Sequence, residues 1–339
     1  DMLNGYKIIA LCLSAIQDAS SISFITELND KLSKHGYRIF IYHMSTDMAW
    51  SDDMKDSETL VFDLIDYFVV DTVIIMDEKI KSRTVTEHII SNAKAAGVPV
   101  IVVDGQCDGC ASVRFDYRTG FEAIVRHVME EHKPRKLHFM AGSRGNLFSE
   151  ERLEIFAMIL KEYGIAFDRE SMVSYGDFWA RPTIKAAQRI IDSGDMPQAI
   201  ICANDIMAIN VVALLKKNGY RVPEDVIVTG FDGIEETHLT EPRITTSFCD
   251  FEELAGTVAD LIQKGVWEGD YYALPRLMVS ESCGCKYNSR IDILESFSQL
   301  NSRFYRYQDD NHVLMQIAED MQGCRRIEEV PAMMGHRVM

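Results

Sequence analysis

The run AIICANDIMAINVVALLKKNGYRVPEDVIVTGFD, residues 199–232, reads as one complete strand, helix and strand unit. Ala199 to Cys202 is a short apolar segment suited to a strand covered on both faces. Asn204 and Asp205 follow, and either side chain can accept from the unpaired N–H groups at the start of a helix. Ile206, Ile209, Val212, Ala213 and Leu215 recur near helical spacing and give that helix one core-facing side. Gly219 suits the left-handed residue that ends it, and Pro223 prevents a restart. Val226 to Val228 is a second buried strand, with Gly230, Phe231 and Asp232 just past its end. Two parallel strands joined by a helix put Asn204 and Asp232 on one sheet edge, the edge where open α/β sheets bind ligands.

The order of these pieces resembles the effector-binding core of the lac repressor family, whose fold is shared with periplasmic sugar-binding proteins. The residues that carry the resemblance are Ala203, Asn204, Asp205, Met207 and Ala208, then Gly219, Tyr220, Val222 and Pro223, then Gly230, Phe231 and Asp232. It extends from about Gly5 to Cys285. One departure lies at Ile155, before Phe156, where the family commonly has glycine before the phenylalanine.

Working outward, strands are expected at Tyr6–Leu13, Tyr37–Tyr42, Thr72–Met76 and Val100–Val103, with helices between them, including one near Thr59–Phe68. A short strand through Val113 and Phe115 follows. Lys136–Met140 opens a second series, and Leu277–Ser280 is the last expected strand. The regular alternation predicts an α/β fold of two doubly wound parallel-sheet lobes. The expected division is 5–132 with 247–276 for lobe 1 and 133–246 with 277–286 for lobe 2. Residues 287–339 form a helical connector, in which Ile293, Phe297, Leu300, Phe304, Tyr307, Asn311, Leu314, Ala318 and Met321 follow a heptad pattern that two copies could share.

A cleft between two such lobes suits a small polar molecule. The resemblance implies that Arg152 reaches the effector and that Phe178 is a pocket aromatic, with Trp179 beside it and Asn204 and Asp232 supplying polar contacts. A guanidinium can fork two hydrogen bonds to neighbouring oxygens, and an aromatic face can cover the C–H surface of a sugar ring. From the first lobe the candidates are Ser14, Asp77 and Asp116, each at the end of an expected strand. Such residues also serve as turn and cap formers.

Composition narrows the function. With 35 Lys and Arg against 52 Asp and Glu, the formal charge is −17, the wrong sign for a surface that grips phosphate backbones, so this chain alone is not expected to bind nucleic acid. No apolar run reaches the roughly 20 residues needed to span a bilayer, and no export signal is visible. The eight cysteines are read as reduced thiols of a cytoplasmic protein, several lying within apolar strands. Cys107 and Cys110, and Cys283 and Cys285, are too far apart in sequence for finger-like spacing, so no metal is expected. No glycine-rich phosphate loop or activated nucleophile stands out, and neither a cofactor nor catalysis is expected. The leading expectation is a homodimeric sensor of a small, sugar-like effector. A domain of this kind followed by a helical connector resembles the sensor half of a bacterial signalling protein such as a diguanylate cyclase. The alternatives are the effector-binding core of a repressor whose DNA-binding part lies elsewhere, and a transport-associated solute-binding protein.

Overall fold

A computed structural model describes residues 5–44 and 58–286 together with Ser298, Asn301, Ser302 and Tyr305. Its strands are β1 (Lys7–Ser14), β2 (Tyr37–Met44), β3 (Thr72–Met76), β4 (Val100–Val103), β5 (Ala111–Phe115), β6 (Leu137–Ala141), β7 (Val173–Tyr175), β8 (Ala199–Cys202), β9 (Ile227–Thr229), β10 (Thr246–Phe248), β11 (Gly269–Ala273) and β12 (Arg276–Met278). The heptad positions of the expected connector, Ile293 through Met321, lie outside the described residues.

The chain divides into two compact units. Unit 1 comprises residues 1–127, 151–164 and 247–277, and unit 2 comprises residues 128–150, 165–246 and 278–339. The expected first boundary at 132 moves to 127, and the helical stretch 151–164 groups with unit 1 instead of the second lobe. Side-chain pairing explains the second difference. Arg126 donates to Glu162 at 2.8 Å, and Arg118 lies 3.7 Å from Glu151.

Unit 1 is built on a six-stranded sheet in the order β11, β5, β4, β3, β1, β2, and its pairings are parallel. The β1 run Ile8 to Leu13 is almost wholly removed from solvent, as are Val73 to Ile75 and Ile101 to Val103. Alternation sends Ile8, Ala10, Cys12, Val73, Ile75, Val100 and Val102 to one face, where they pack with Ile89 and Ala93 of the helix Arg83–Ala95. Each such aliphatic side chain contributes roughly 1.5–3 kcal/mol by leaving water. The helices Ala19–Leu32 and Phe251–Lys264 pack on one another.

Two expectations fail in unit 1. Of the helix expected near Thr59–Phe68, Thr59 is helical but Leu60–Leu64 is a tight 3-10 turn, and the helix does not reach Phe68. The Asp66 carboxylate accepts from the Phe68 N–H at 3.0 Å, which favours a turn over continued helix. The strand β11 was not expected, because GDYYA pairs with β5 alone, at the sheet edge, and shows no buried apolar run.

Unit 2 is built on a four-stranded parallel sheet in the order β7, β6, β8, β9. The helix Asp205–Lys217 connects β8 to β9 as the sequence requires. Its second and first strands lie to one side and its third and fourth to the other. The direction of winding therefore reverses between β6 and β8, the point where such sheets open a crevice at the strands' C-terminal ends. In unit 1 the same reversal falls between β1 and β3. Among the described residues, no helix is long and apolar enough to cross a membrane.

Candidate functional site

In unit 2 the candidate residues gather at the reversal point. Asn204 is only 6% exposed and caps the helix Asp205–Lys217, its Oδ1 accepting from the Met207 N–H at 3.0 Å. Its amide Nδ2 also donates to the Phe178 carbonyl at 3.3 Å. The structural reading of Asn204 as a cap is therefore realised, and the same side chain holds the loop that carries the candidate aromatic. The Phe178 ring lies over Gly142, just past β6, where an added Cβ would come within 2.0 Å of the ring. Glycine at 142 is what lets the ring settle across that strand end. Trp179, the N-cap residue of the next helix, is 53% exposed.

Asp232 sits three residues beyond β9 with φ 108°. Its loop is held by a residue that sequence patterning treats only as an alternative cap. The fully buried Asp205 carboxylate accepts from the backbone N–H of Gly233 at 2.6 Å and of Ile234 at 3.0 Å. The Asp205 N–H in turn donates to the Phe231 carbonyl at 2.8 Å. Burial pushes the Asp205 carboxyl well above the usual carboxylate range, and the neighbouring Asp232 carboxylate pushes it further. A buried acidic residue in the helix's first turn that reaches forward 28 residues could not be found from periodicity, although the Asn-Asp pair marked the place.

In unit 1 the candidates are more spread. Ser14 ends β1 and is buried. Asp77 follows β3 and accepts from Thr86 Oγ1 at 2.6 Å. Asp116 follows β5 and accepts from the Thr119 N–H at 3.0 Å and its hydroxyl at 2.7 Å, the duty of a helix cap. Arg152 is 6% exposed, with its guanidinium carbon 5.9 Å from the centre of the Tyr117 ring.

Tyr117, absent from the sequence candidates, donates to Asp104 at 2.5 Å. Burial raises the Asp104 carboxyl to about 6, against the lowering effect of that hydrogen bond. Lys79 was also missed. Its ammonium donates to Asp18 at 3.0 Å and Ser20 at 2.8 Å, tying the first loop to the residues after β3.

Strained backbone occurs at the same sheet edges, as well as at Lys81, Lys133 and Asp177. Ala15 after β1, Asp104 after β4, Phe178 after β7 and Asp232 after β9 all have φ between 53° and 108°. Non-glycine residues rarely adopt such angles, and an aromatic there is an outlier. Strain of this kind, typically about 1–3 kcal/mol per residue, persists where surrounding structure enforces it and concentrates at binding sites. A separate concavity of about 890 Å³ in unit 2 is lined by Tyr220, Arg221, Glu224, Glu241, Arg243 and Glu281, among others. It lies beside the segment entering β9, away from the strand ends, and charged residues of both signs line it.

Comparison with known proteins bears on the fold. Residues 125–279 match the sequence model of the periplasmic binding protein-like domain. The HTH-type transcriptional repressor CytR of Escherichia coli K12 is 31% identical over 136 residues, which is 40% of this chain and 39% of that protein. The chain thus spans about two fifths of that relative's length. Among solved structures, a complex of the transcriptional regulator CelR with cellobiose superposes with a TM-score of 0.63 at 21% identity, covering 82% of this chain and 86% of that one. A LacI family regulator, CCPA from Weissella paramesenteroides with bound sucrose, gives 0.67 at 16% identity, covering 81% and 98%. Parallel-stranded sheets flanked by helices, each reversing its winding beside the candidate residues, give this chain the α/β fold of the periplasmic binding protein-like domains.

Proposed function

We propose that this chain is the effector-binding core of a transcriptional repressor, and that its effector is a small polar, sugar-like molecule. The observation that carries the reading is the set of strained residues at the C-terminal strand ends, with Phe178 and Asp232 braced in unit 2 by Asn204 and Asp205. A ring laid against Phe178 would bury its C–H face, with the Asp232 carboxylate accepting from a hydroxyl. Within unit 1, Arg152, Ser14, Asp77 and Asp116 are the proposed effector contacts, with the carboxylates of Asp77 and Asp116 each also accepting from a threonine. The matched CytR sequence, and fold relatives whose names include cellobiose and sucrose, support regulation by such a ligand. The proposal includes a homodimer in the cytoplasm.

DNA recognition is assigned to a segment other than this one, since a formal charge of −17 does not suit phosphate contact. A second reading, in which the core signals to an output domain such as a diguanylate cyclase, is favoured by the heptad-patterned sequence after Cys285. No catalytic step is proposed.

A thermal-shift screen of mono- and disaccharides, nucleosides and small acids tests the reading. A ligand at about 100 times its Kd adds roughly 2.7 kcal/mol to stability. The expected result is a response to a sugar that Asp232→Ala and Arg152→Ala both abolish. A response unaffected by either substitution would move the site elsewhere.

A further inference from the structure

Cys283 and Cys285 are close to two histidines that lie about 150 residues earlier in the chain. One donor atom each from His127, His132, Cys283 and Cys285 can be chosen so that all four lie within 4.8 Å of one another. Three of these residues belong to unit 2, and His127 is the residue immediately before it on the same helical segment. Cys285 Sγ is already 3.5 Å from His132 Nε2. In a tetrahedron with Zn–S near 2.3 Å and Zn–N near 2.1 Å that edge measures about 3.6 Å, and a sulfur–sulfur edge about 3.8 Å. From that upper bound of 4.8 Å the remaining separations need shorten by no more than about 1.4 Å, which side-chain rotation supplies.

Local backbone explains how unpromising spacings converge. Two histidines five residues apart on a regular α-helix point roughly 140° away from each other. Here the helix Tyr117–His127 passes into a wider turn at Val128–His132, in which Lys133 N–H bonds the Val128 carbonyl at 3.2 Å. A five-residue repeat stacks i over i+5, so both imidazoles come to one side. On the other strand of the cluster, Gly284 has φ 96°, a left-handed bend that a side chain would strain. Ser282, one residue before the pair, is fixed by donating to the Val228 carbonyl at 2.6 Å while accepting from the Thr245 N–H at 2.8 Å. Cys283 is buried and the other three donors are half-buried, which leaves an approach from solvent.

We propose that His127, His132, Cys283 and Cys285 form a structural zinc site. The expectation of no metal, drawn from the wide separation of the cysteine pairs, is thereby set aside for this pair. Two thiolates and two neutral imidazoles compose the tetrahedral S2N2 set that selects zinc, and four protein ligands leave no open position for catalysis. Binding releases two thiol protons to solvent, and the bound ion with its two thiolates carries no net charge. The site stands at the entering end of β6, away from the strand ends that carry the effector candidates, and so does not depend on the effector reading. Its effect is to fasten the chain leaving β12 to the helix that precedes β6.

Metal content of the full chain, expressed with zinc supplied and purified under reducing conditions without chelator, tests this. The expected result is about one zinc per chain, falling below roughly a tenth in the Cys283→Ser/Cys285→Ser double variant and unchanged in Cys107→Ser/Cys110→Ser. Independently of whether the double variant folds, cobalt is titrated into the metal-stripped natural sequence, where thiolate-to-cobalt charge-transfer and intense tetrahedral d–d bands are expected. His132→Ala should weaken cobalt binding by at least the roughly 10-fold that loss of a ligand's supporting partner costs. Metal-free protein with an octahedral cobalt spectrum would overturn the proposal. So would zinc retained by the double variant, or a Cys283–Cys285 disulfide in anaerobically isolated protein.

Discussion

The Asp205 carboxylate and the Gly233 N–H, 2.6 Å apart, join the first turn of the helix after β8 to the loop after β9. This bond makes two strand ends one structure. It holds the loop that carries Asp232, at φ 108°, while the neighbouring Asn204 holds the loop of Phe178.

Asp205→Ala should therefore destabilise unit 2 by about 1–3 kcal/mol, since the part-buried Ile234 N–H loses its acceptor and the buried Gly233 N–H keeps only the Thr246 hydroxyl at 3.2 Å. Asp205→Asn keeps an acceptor and mimics the protonated acid that burial favours, and its loss should be less than half as large. Urea denaturation of the three proteins measures the difference. Equal losses for Ala and Asn would show that charge, not the clamp, matters.

Gly142→Ala should leave the fold intact while expelling the Phe178 ring, because the new methyl would fall within 2.0–2.5 Å of three ring atoms. Phe178 is only half-buried, so it can swing outward at modest cost. The expected outcome is a melting temperature close to that of the parent with the sugar response lost. A retained response would remove Phe178 from the site.

Asp104 makes stability fall as pH rises. Its folded carboxyl titrates at about 6, above its ordinary 3.8, so the folded state holds the extra proton between those values. Stability from this group is complete below pH 4 and is lost by pH 6, a change on the order of 3 kcal/mol. Asp104→Asn retains an acceptor for Tyr117 and should be increasingly more stable than the parent from pH 4 to pH 7. Parallel stability curves would refute the assignment.

His138 acts in the opposite sense. Burial among β6 neighbours lowers it from 6.5 to about 4, with its Nε2 2.9 Å from Ser174 Oγ. The unfolded chain takes up the proton first, so stability is lost as pH falls from about 6.5 to 4, again on the order of 3 kcal/mol. His138→Gln should flatten the acid limb of the stability profile. Both histidine and aspartate variants can be followed by the same denaturant series at four or so pH values.

Much of this architecture was legible in the chain itself. Buried parallel strands such as Val100–Val103 and Ala199–Cys202 are short apolar runs ended by polar residues, and Asn204, Gly219 and Pro223 mark where the helix between β8 and β9 begins and ends. These signals are local, because caps, breakers and periodicity act over a few residues. Strand β11 escaped because an edge strand with exposed tyrosines carries no such signature. Tertiary structure alone decided what lies far apart in sequence. It took Asp205 to Gly233 across 28 residues and Tyr117 to Asp104 across 13. It also brought Cys285 to His132 across 153 residues, at the end of a widened helical turn that follows His127. Sequence order specifies which elements form. Which side chains meet at their ends depends on strand order and on backbone angles that only the packed sheet enforces.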